Sequence, residues 1–277
     1  MGNLDRAVEG NAWNFSKEMQ QMLTAQAIEM PPEELALNIG IMADAALDAS
    51  TETMMWFVMA CITSQEPAGW VAKAQALLDS AVRRERLPSF EDRPKLPYID
   101  AIIEELLRWR PAGAAGVPYF SKVESVYNGC RIPANSVVIP NHWAMTRDQD
   151  VYGPDVESFR PERFLGNEKL PTVGFGFGRR ICPGRHIARN SLWISISRLL
   201  WAFDIKPGPS EEGGPPDASK GTDGLVTKPL PFKARFQPRD QSARDLIRRD
   251  CNTHAVDFAA MLDQIGSKVP KTSGDSF

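Results

Sequence analysis

A mainly α fold with small β-sheets is predicted by the sequence, on three observations. Apolar residues recur at helical spacing over residues 13–29, 67–86, 97–110 and 183–203. A run from Pro32 to about Ser64 contains nothing that breaks a helix except the tolerable Gly40. Turn-punctuated, β-prone pieces are confined to 123–140 and 224–238.

Each element has its own reason. In the first helix Trp13, Phe15, Met19, Met22 and Leu23 stand near helical spacing. The long helix opens on Pro31 and Pro32 followed by Glu33 and Glu34. Proline fits a first helical turn, and acids favour the N-terminal dipole. At 1.5 Å per residue a run of about 30 residues spans roughly 45 Å. Its small residues, Ala43, Ala45, Ala46, Ala49 and Ser50, gather in the middle and let something bulky lie against the backbone. A Pro-Gly-rich connection follows at 111–118. Tyr127-Asn128-Gly129 signals a turn, and Ser136 to Ile139 is β-prone. The helix at 183–203 is expected to start just after Cys182-Pro183-Gly184. Residues 206–223 read as a loop, 224–238 as a hairpin, and 241–265 as a polar helix that frays beyond. One domain over 1–239 and a polar tail over 240–277, partly helical or disordered, is the expected division.

Composition narrows the function. With 277 residues, 43% hydrophobic and 24% charged, the chain is globular rather than disordered. A net charge of −3 gives no global pull toward nucleic acid or an anionic membrane. Cys61, Cys130, Cys182 and Cys251 are widely spaced without a C-x-x-C pair, and only 3 histidines accompany them. This argues against a zinc site of usual spacing and against a disulfide framework, so a reducing compartment fits. Neither a signal-peptide run nor a membrane span is present in the sequence, and a soluble or peripheral chain is expected.

The chemistry lies in Phe175-Gly-Phe-Gly178-Arg-Arg180-Ile-Cys182-Pro-Gly184. Its glycines permit tight turns and close approach to a flat cofactor. Cys182 stands just before a helix N-terminus, where unpaired N–H groups and the dipole favour a thiolate. Phe175 is placed to pack near the sulfur and keep water from it. A thiolate opposite bound oxygen pushes electron density toward O–O cleavage. The plain alternative, a buried cysteine in a glycine-rich turn, does not account for the whole window. The glycines also miss G-x-G-x-x-G, because the third positions fall on Arg179 or Ile181.

The window matches F-x-x-G-x-R-x-C-x-G and resembles the haem-ligand signature of the cytochrome P450 family. Glu105-Leu-Leu-Arg108 is similar to the family's E-x-x-R helix, and Pro161-Glu-Arg163-Phe164 to its P-E-R-F segment. Ala45-Ala46-Leu47-Asp48 resembles the oxygen-binding helix pattern A-G-x-[DE]-T. The resemblance covers about 13–238 and is closest in character to fungal secondary-metabolism members. It implies a partial P450 fold, from the oxygen-binding helix through the haem-ligand loop to a C-terminal hairpin. It implies haem with Cys182 as axial thiolate and metal ligand, and Phe175, Gly178, Gly184 and Ala45 around the cofactor. It makes Glu105, Arg108 and Arg163 a buried scaffold triad and sends Arg180 to a haem propionate. The alternative for Arg180 is a surface arginine. The implied activity is oxidation of a small apolar organic substrate with O2 and two electrons. These come from an NADPH-cytochrome P450 reductase docking near Arg179, Arg185 and Arg189, which read otherwise as a solvated helix face. Family members of this type are usually anchored to the endoplasmic reticulum; the anchor has no counterpart in this sequence.

Three departures stand out. The N-terminal half of a family member has no counterpart here, which leaves haem affinity and coupling open. The hydroxyl position after Asp48 is Ala49, so Ser50 or Thr51 serves proton delivery only if the register shifts; otherwise a substrate hydroxyl or water must. Asp48 reads equally as a solvated or capping acid. Tyr119 stands where members often carry Arg or His for a propionate, and brings a hydrogen bond without charge. Met42, Ala45, Ala46, Ala49, Leu225 and Val226 read as cofactor- or substrate-facing, or as plain core. Two rivals follow: a truncated, non-catalytic remnant that holds haem weakly or not at all, and a cysteine redox or metal protein with His186 as second ligand.

Overall fold

The computed structural model describes residues 14–64, 66, 68–166, 170–209 and 216–253, with only the helical backbone for 250–253. Trp13, residues 210–215 of the expected loop and the helix expected beyond 253 lie outside the described residues. The chain divides into two compact units, residues 48–247 and residues 1–47 with 248–277.

In the smaller unit, α1 (Phe15–Ala25) is shorter than the 13–29 expected. Asn14 caps it, its side chain accepting from the Lys17 amide at 3.0 Å. It stops where Ala27 turns left-handed at φ 51°, on the approach to the proline pair. α2 (Pro32–Thr63) then begins on Pro32, Glu33 and Glu34 and runs unbroken for 32 residues into the larger unit. Residues 41–48 of it are exposed, small residues and Leu47 alike.

The larger unit holds the core. From α2, Trp56, Phe57, Met59 and Ile62 are buried, and Trp56 meets Trp109 edge-on at 6.0 Å. Cys61 is buried among them, and burial pushes its thiol well up, which makes it an apolar filler rather than a nucleophile. α3 (Trp70–Ala81) ends five residues before the sequence pattern does. Beyond it Arg84 lies over the Trp201 ring at 4.8 Å and pairs with Asp79 at 2.8 Å and Asp240 at 3.1 Å, drawing the chain off the helical path.

A short 3-10 turn, Phe90–Lys95, starts on a Ser89–Asp92 capping box. Arg86 holds the Asp92 carboxylate by two hydrogen bonds, 2.7 and 2.6 Å, and the Ser89 amide adds a third at 2.9 Å. Chiefly through Arg86, the Asp92 pKa falls to about 2. An unfolded aspartate titrates near 3.9, so the folded value is the lower one. The stabilisation is therefore complete above about pH 4 and is lost as pH falls toward about 2. Asp92→Asn is expected to flatten the acid limb of a stability–pH curve measured by urea unfolding across that window.

α4 (Pro97–Trp109) buries Ile99, Ile102, Ile103, Leu106 and Leu107, and with them the charged Glu105 and Arg108. Two antiparallel pairs follow: β1 (Tyr119–Phe120) with β4 (Val137–Val138), and β2 (Ser125–Tyr127) with β3 (Cys130–Ile132). Asn128 and Gly129 turn the second pair at φ 50° and 76°. Val117, Phe120, Val126, Tyr127, Val137 and Ile139 are all exposed in this region. Gly116 has φ 72°, and a Cβ on it would come within 2.3 Å of the Pro140 carbonyl oxygen. Gly116→Ala is expected to lower stability by about 2 kcal/mol or more, read as a drop in the urea midpoint.

The short helices α5 (His142–Met145) and α6 (Gln149–Tyr152) lead past a Pro161–Phe164 turn to the Cys182 loop and α7 (Arg185–Ala202). α7 passes directly into β5 (Phe203–Pro207), which pairs antiparallel with β6 (Ala234–Pro238) from Phe203–Pro238 to Pro207–Ala234. The expected hairpin over 224–238 is thus corrected. Its second half pairs with β5, and the local fold-back is a single bridge between Gly221 and Pro229. α8 (Gln241–Thr253) follows, with Ala243 and Leu246 in the core. Among the described residues no helix is long and apolar enough to cross a membrane.

Candidate haem-thiolate site

The scaffold under the site is a charge cluster at the α4 end. Arg108 grips Glu105 through Nε and Nη2, both at 2.7 Å, a bidentate fork with both side chains buried. Its remaining donors go to backbone carbonyls: Thr146 at 3.0 Å, Val156 at 2.8 Å and Ser158 at 3.3 Å. Glu105 also accepts from the Arg160 amide at 2.8 Å. Arg163 Nε lies 3.3 Å from Glu105 Oε2, too poorly aligned for a hydrogen bond but close enough for charge. Arg163 further donates to the Tyr152 carbonyl and pairs with Asp155 at 2.9 Å, which holds the Asp155 carboxyl below its usual range. The buried triad expected from the sequence is present. Asp155 and the carbonyls that complete it left no trace in the pattern, because any residue supplies a carbonyl.

α4 also supports the cysteine loop. A Cβ at Gly174 would sit 3.3 Å from Leu107 Cβ, so loop and helix are in close contact. The Cys182 amide donates to the Phe175 carbonyl at 2.9 Å and closes the loop on itself. Gly176 and Gly178 take φ 73° and 59°, left-handed values that glycine adopts freely. Phe175 is half-buried against the core, and Arg180 is exposed. Cys182 is half-buried and in no disulfide. Two residues on, Gly184 is the N-cap of α7, and a Cβ there would lie 3.9 Å from Cys182 Sγ. Tyr119 donates to the Phe177 carbonyl at 3.5 Å, so this tyrosine is tied to the loop itself.

The three arginines near Cys182 separate. Arg179 is exposed. Arg185 donates to the Cys182 carbonyl at 3.2 Å. Arg189 turns inward, pairs with Glu104 and stands over the Phe175 ring at 5.2 Å. Its partner lies 85 residues back in the chain, which is why the sequence showed only a basic helix face.

On α2, Ala45 and Asp48 are exposed, while Ala49 and Ser50 are half-buried. The Ala49 carbonyl accepts from Thr53 Oγ1 at 2.7 Å. Thr53 is thereby committed to the helix backbone. Glu52, which the sequence reading passed over, is buried one turn after Asp48. Its spacing from Asp48 was the available signal.

The donor set around Cys182 fits a haem iron. Among the described residues no group of three or more His, Cys, Asp or Glu side chains could hold a metal. A lone thiolate suits a metal whose other ligands come with it, as the four nitrogens of a porphyrin do.

Residues 8–236 of the chain match the family model described as Cytochrome P450. It is 37% identical over 267 residues to the cytochrome P450 monooxygenase drtD of Aspergillus calidoustus, covering 95% of this chain and 50% of that one. It is 38% identical to the cytochrome P450 monooxygenase peniB of Penicillium patulum, covering 95% and 48%. A zebrafish cytochrome P450 structure with abiraterone superposes with a TM-score of 0.69 at 28% identity, over 77% of this chain and 49% of that one. The chain belongs to the cytochrome P450 family. It spans about half the length of the curated relatives it matches.

Proposed function

We propose that this chain is the haem-binding part of a P450 monooxygenase, with Cys182 as the axial ligand of the haem iron. The observation that carries the reading is the Cys182 loop. A lone, half-buried thiol sits at the mouth of an 18-residue helix, on a turn that glycines keep open. The haem, when bound, supplies the iron at which O2 is split and one oxygen atom is inserted into substrate.

The chain's own residues have separate tasks. Cys182 binds, and the α7 N-terminus favours its thiolate form. Phe175 keeps water from the sulfur, while Gly178 and Gly184 keep side chains out of the cofactor's way. Arg180, exposed beside the loop, is free to reach a propionate. Asp48 moves protons toward oxygen through a water or a substrate hydroxyl, since Ala49 has no hydroxyl and Ser50, on an unbroken α2, points about 100° away. The substrate is a small apolar organic molecule of the secondary-metabolite kind, in line with the fungal relatives. Electrons come from an NADPH-cytochrome P450 reductase. Its acidic surface meets Arg179, since Arg189 is engaged by Glu104.

The test is spectroscopic. The chain is expressed, loaded with haem and reduced under carbon monoxide. A Soret band at the position diagnostic of thiolate ligation is expected, and a band typical of histidine ligation would defeat the assignment. Turnover with a reductase then separates an enzyme from a haem-binding remnant. Ala49 is the observation that favours the remnant.

A further inference from the structure

The Cys182 loop is closed mostly by its own backbone. Besides the Cys182 amide on the Phe175 carbonyl, the Gly176 amide donates to the Val173 carbonyl at 2.9 Å and the Ile181 amide to the Gly178 carbonyl at 3.1 Å. Such bonds shape the loop without fixing it to the rest of the unit. Its side chains divide. Phe177, Arg179, Arg180 and Ile181 are exposed, whereas the Phe175 ring packs against the core. Phe175 thus anchors the loop with its side chain and holds the Cys182 amide with its carbonyl.

The Arg189 guanidinium lies over that ring at 5.2 Å, within reach of a cation–π attraction. It is largely screened from water: its side chain is 29% exposed and that of its partner Glu104 16%. Burial lowers the Arg189 pKa; Asp100 opposes the shift and Arg93 adds to it. Poor hydration strengthens the attraction to both the ring and the carboxylate. The pair is not needed to join α4 to α7. One turn back on α4, Asp100 pairs with Arg93 at 2.7 Å, and Arg93 donates to Asn190 of α7 at 2.8 Å. What Arg189 adds is its hold on the ring, and what Glu104 adds is a fixed place for the guanidinium.

We infer that Arg189 is a positioning residue for the Cys182 ligand: held by Glu104, its guanidinium clamps the Phe175 ring and, through it, the backbone bond at Cys182. The clamp rests on the contacts alone. Its consequence for iron ligation rests on the haem-thiolate reading.

The experiment is hydrogen–deuterium exchange by mass spectrometry on the full chain. In Arg189→Gln and in Glu104→Gln, amides of residues 176–182 are expected to exchange roughly five-fold faster, whereas those of β5 and β6 keep their rate. Unchanged exchange in either variant would overturn the inference. Phe175→Leu removes the ring and keeps an apolar side chain. In that background Arg189→Gln should add no further acceleration, and an additive effect refutes the clamp. The charge-reversed pair Glu104→Arg/Arg189→Glu keeps opposite charges on the two helices but sets a carboxylate over the negative face of the ring. Its loop should exchange as fast as in Arg189→Gln; parental protection would reveal a link between helices and no clamp. A second arm follows the haem-loaded chain reduced under carbon monoxide. The thiolate-type band should be lost several-fold faster in Arg189→Gln than in the parent, with Arg189→Lys nearer the parent because it keeps a cation over the ring. A band as durable in Arg189→Gln as in the parent refutes the role in ligation. A parent chain with no thiolate-haem spectrum refutes the haem reading and that role with it, while the clamp is still decided by exchange.

Discussion

Replacing Glu105 by alanine is expected to cost about 3–5 kcal/mol of folding stability, measured as a lowered urea midpoint at an unchanged slope. The carboxylate is fully buried and is gripped by Arg108 in a two-toothed hydrogen bond. Removing it leaves two buried guanidinium groups, Arg108 and Arg163, without their shared counter-charge. Glu105→Gln should recover little of the loss, because an amide presents an N–H where one of the arginines needs an acceptor. Surface pairs behave differently. Arg131→Ala, which breaks the exposed pair with Glu124, should change stability by under about 1 kcal/mol. If Glu105→Ala and Arg131→Ala have similar effects, the cluster is no keystone.

The second large effect falls on Cys182. Cys182→Ala should abolish the thiolate-type carbon monoxide spectrum of the haem-loaded chain while leaving the urea midpoint within about 1 kcal/mol of the parent. The small stability change follows from the structure. The side chain is only half-buried, and the loop is closed by its backbone, the Cys182 amide on the Phe175 carbonyl. Cys61→Ala makes the contrast. That residue is wholly buried in the core, so its truncation should destabilise and leave the spectrum alone. A thiolate band that survives in Cys182→Ala would move the ligand elsewhere and end the proposal for this loop.

The sequence was most readable where structure is local. The start of α2 is announced by Pro32, Glu33 and Glu34, and the start of α7 by Cys182-Pro183-Gly184. Glycines at φ values only they adopt freely made the cysteine loop visible. Pairings across the chain were not readable. β6 reads as half of a hairpin because its alternation is plain, but its partner β5 lies at the end of a helix, where the pattern is ambiguous. Glu105 and Arg108 give a spacing that most often means an exposed pair. Only the family pattern added Arg163, and only the fold supplied Asp155 and the carbonyls of Thr146 and Val156. Arg189 read as a docking charge until Glu104 was found against it.

The two small strand pairs carry a practical consequence. Phe120, Val126, Tyr127, Val137 and Val138 present oily side chains to water on strands of only two or three residues. Such ladders have few hydrogen bonds to anchor them and open rims that invite another strand. A dilute preparation should therefore behave better than a concentrated one, light scattering should climb with protein concentration, and a mild non-ionic detergent should bring it down.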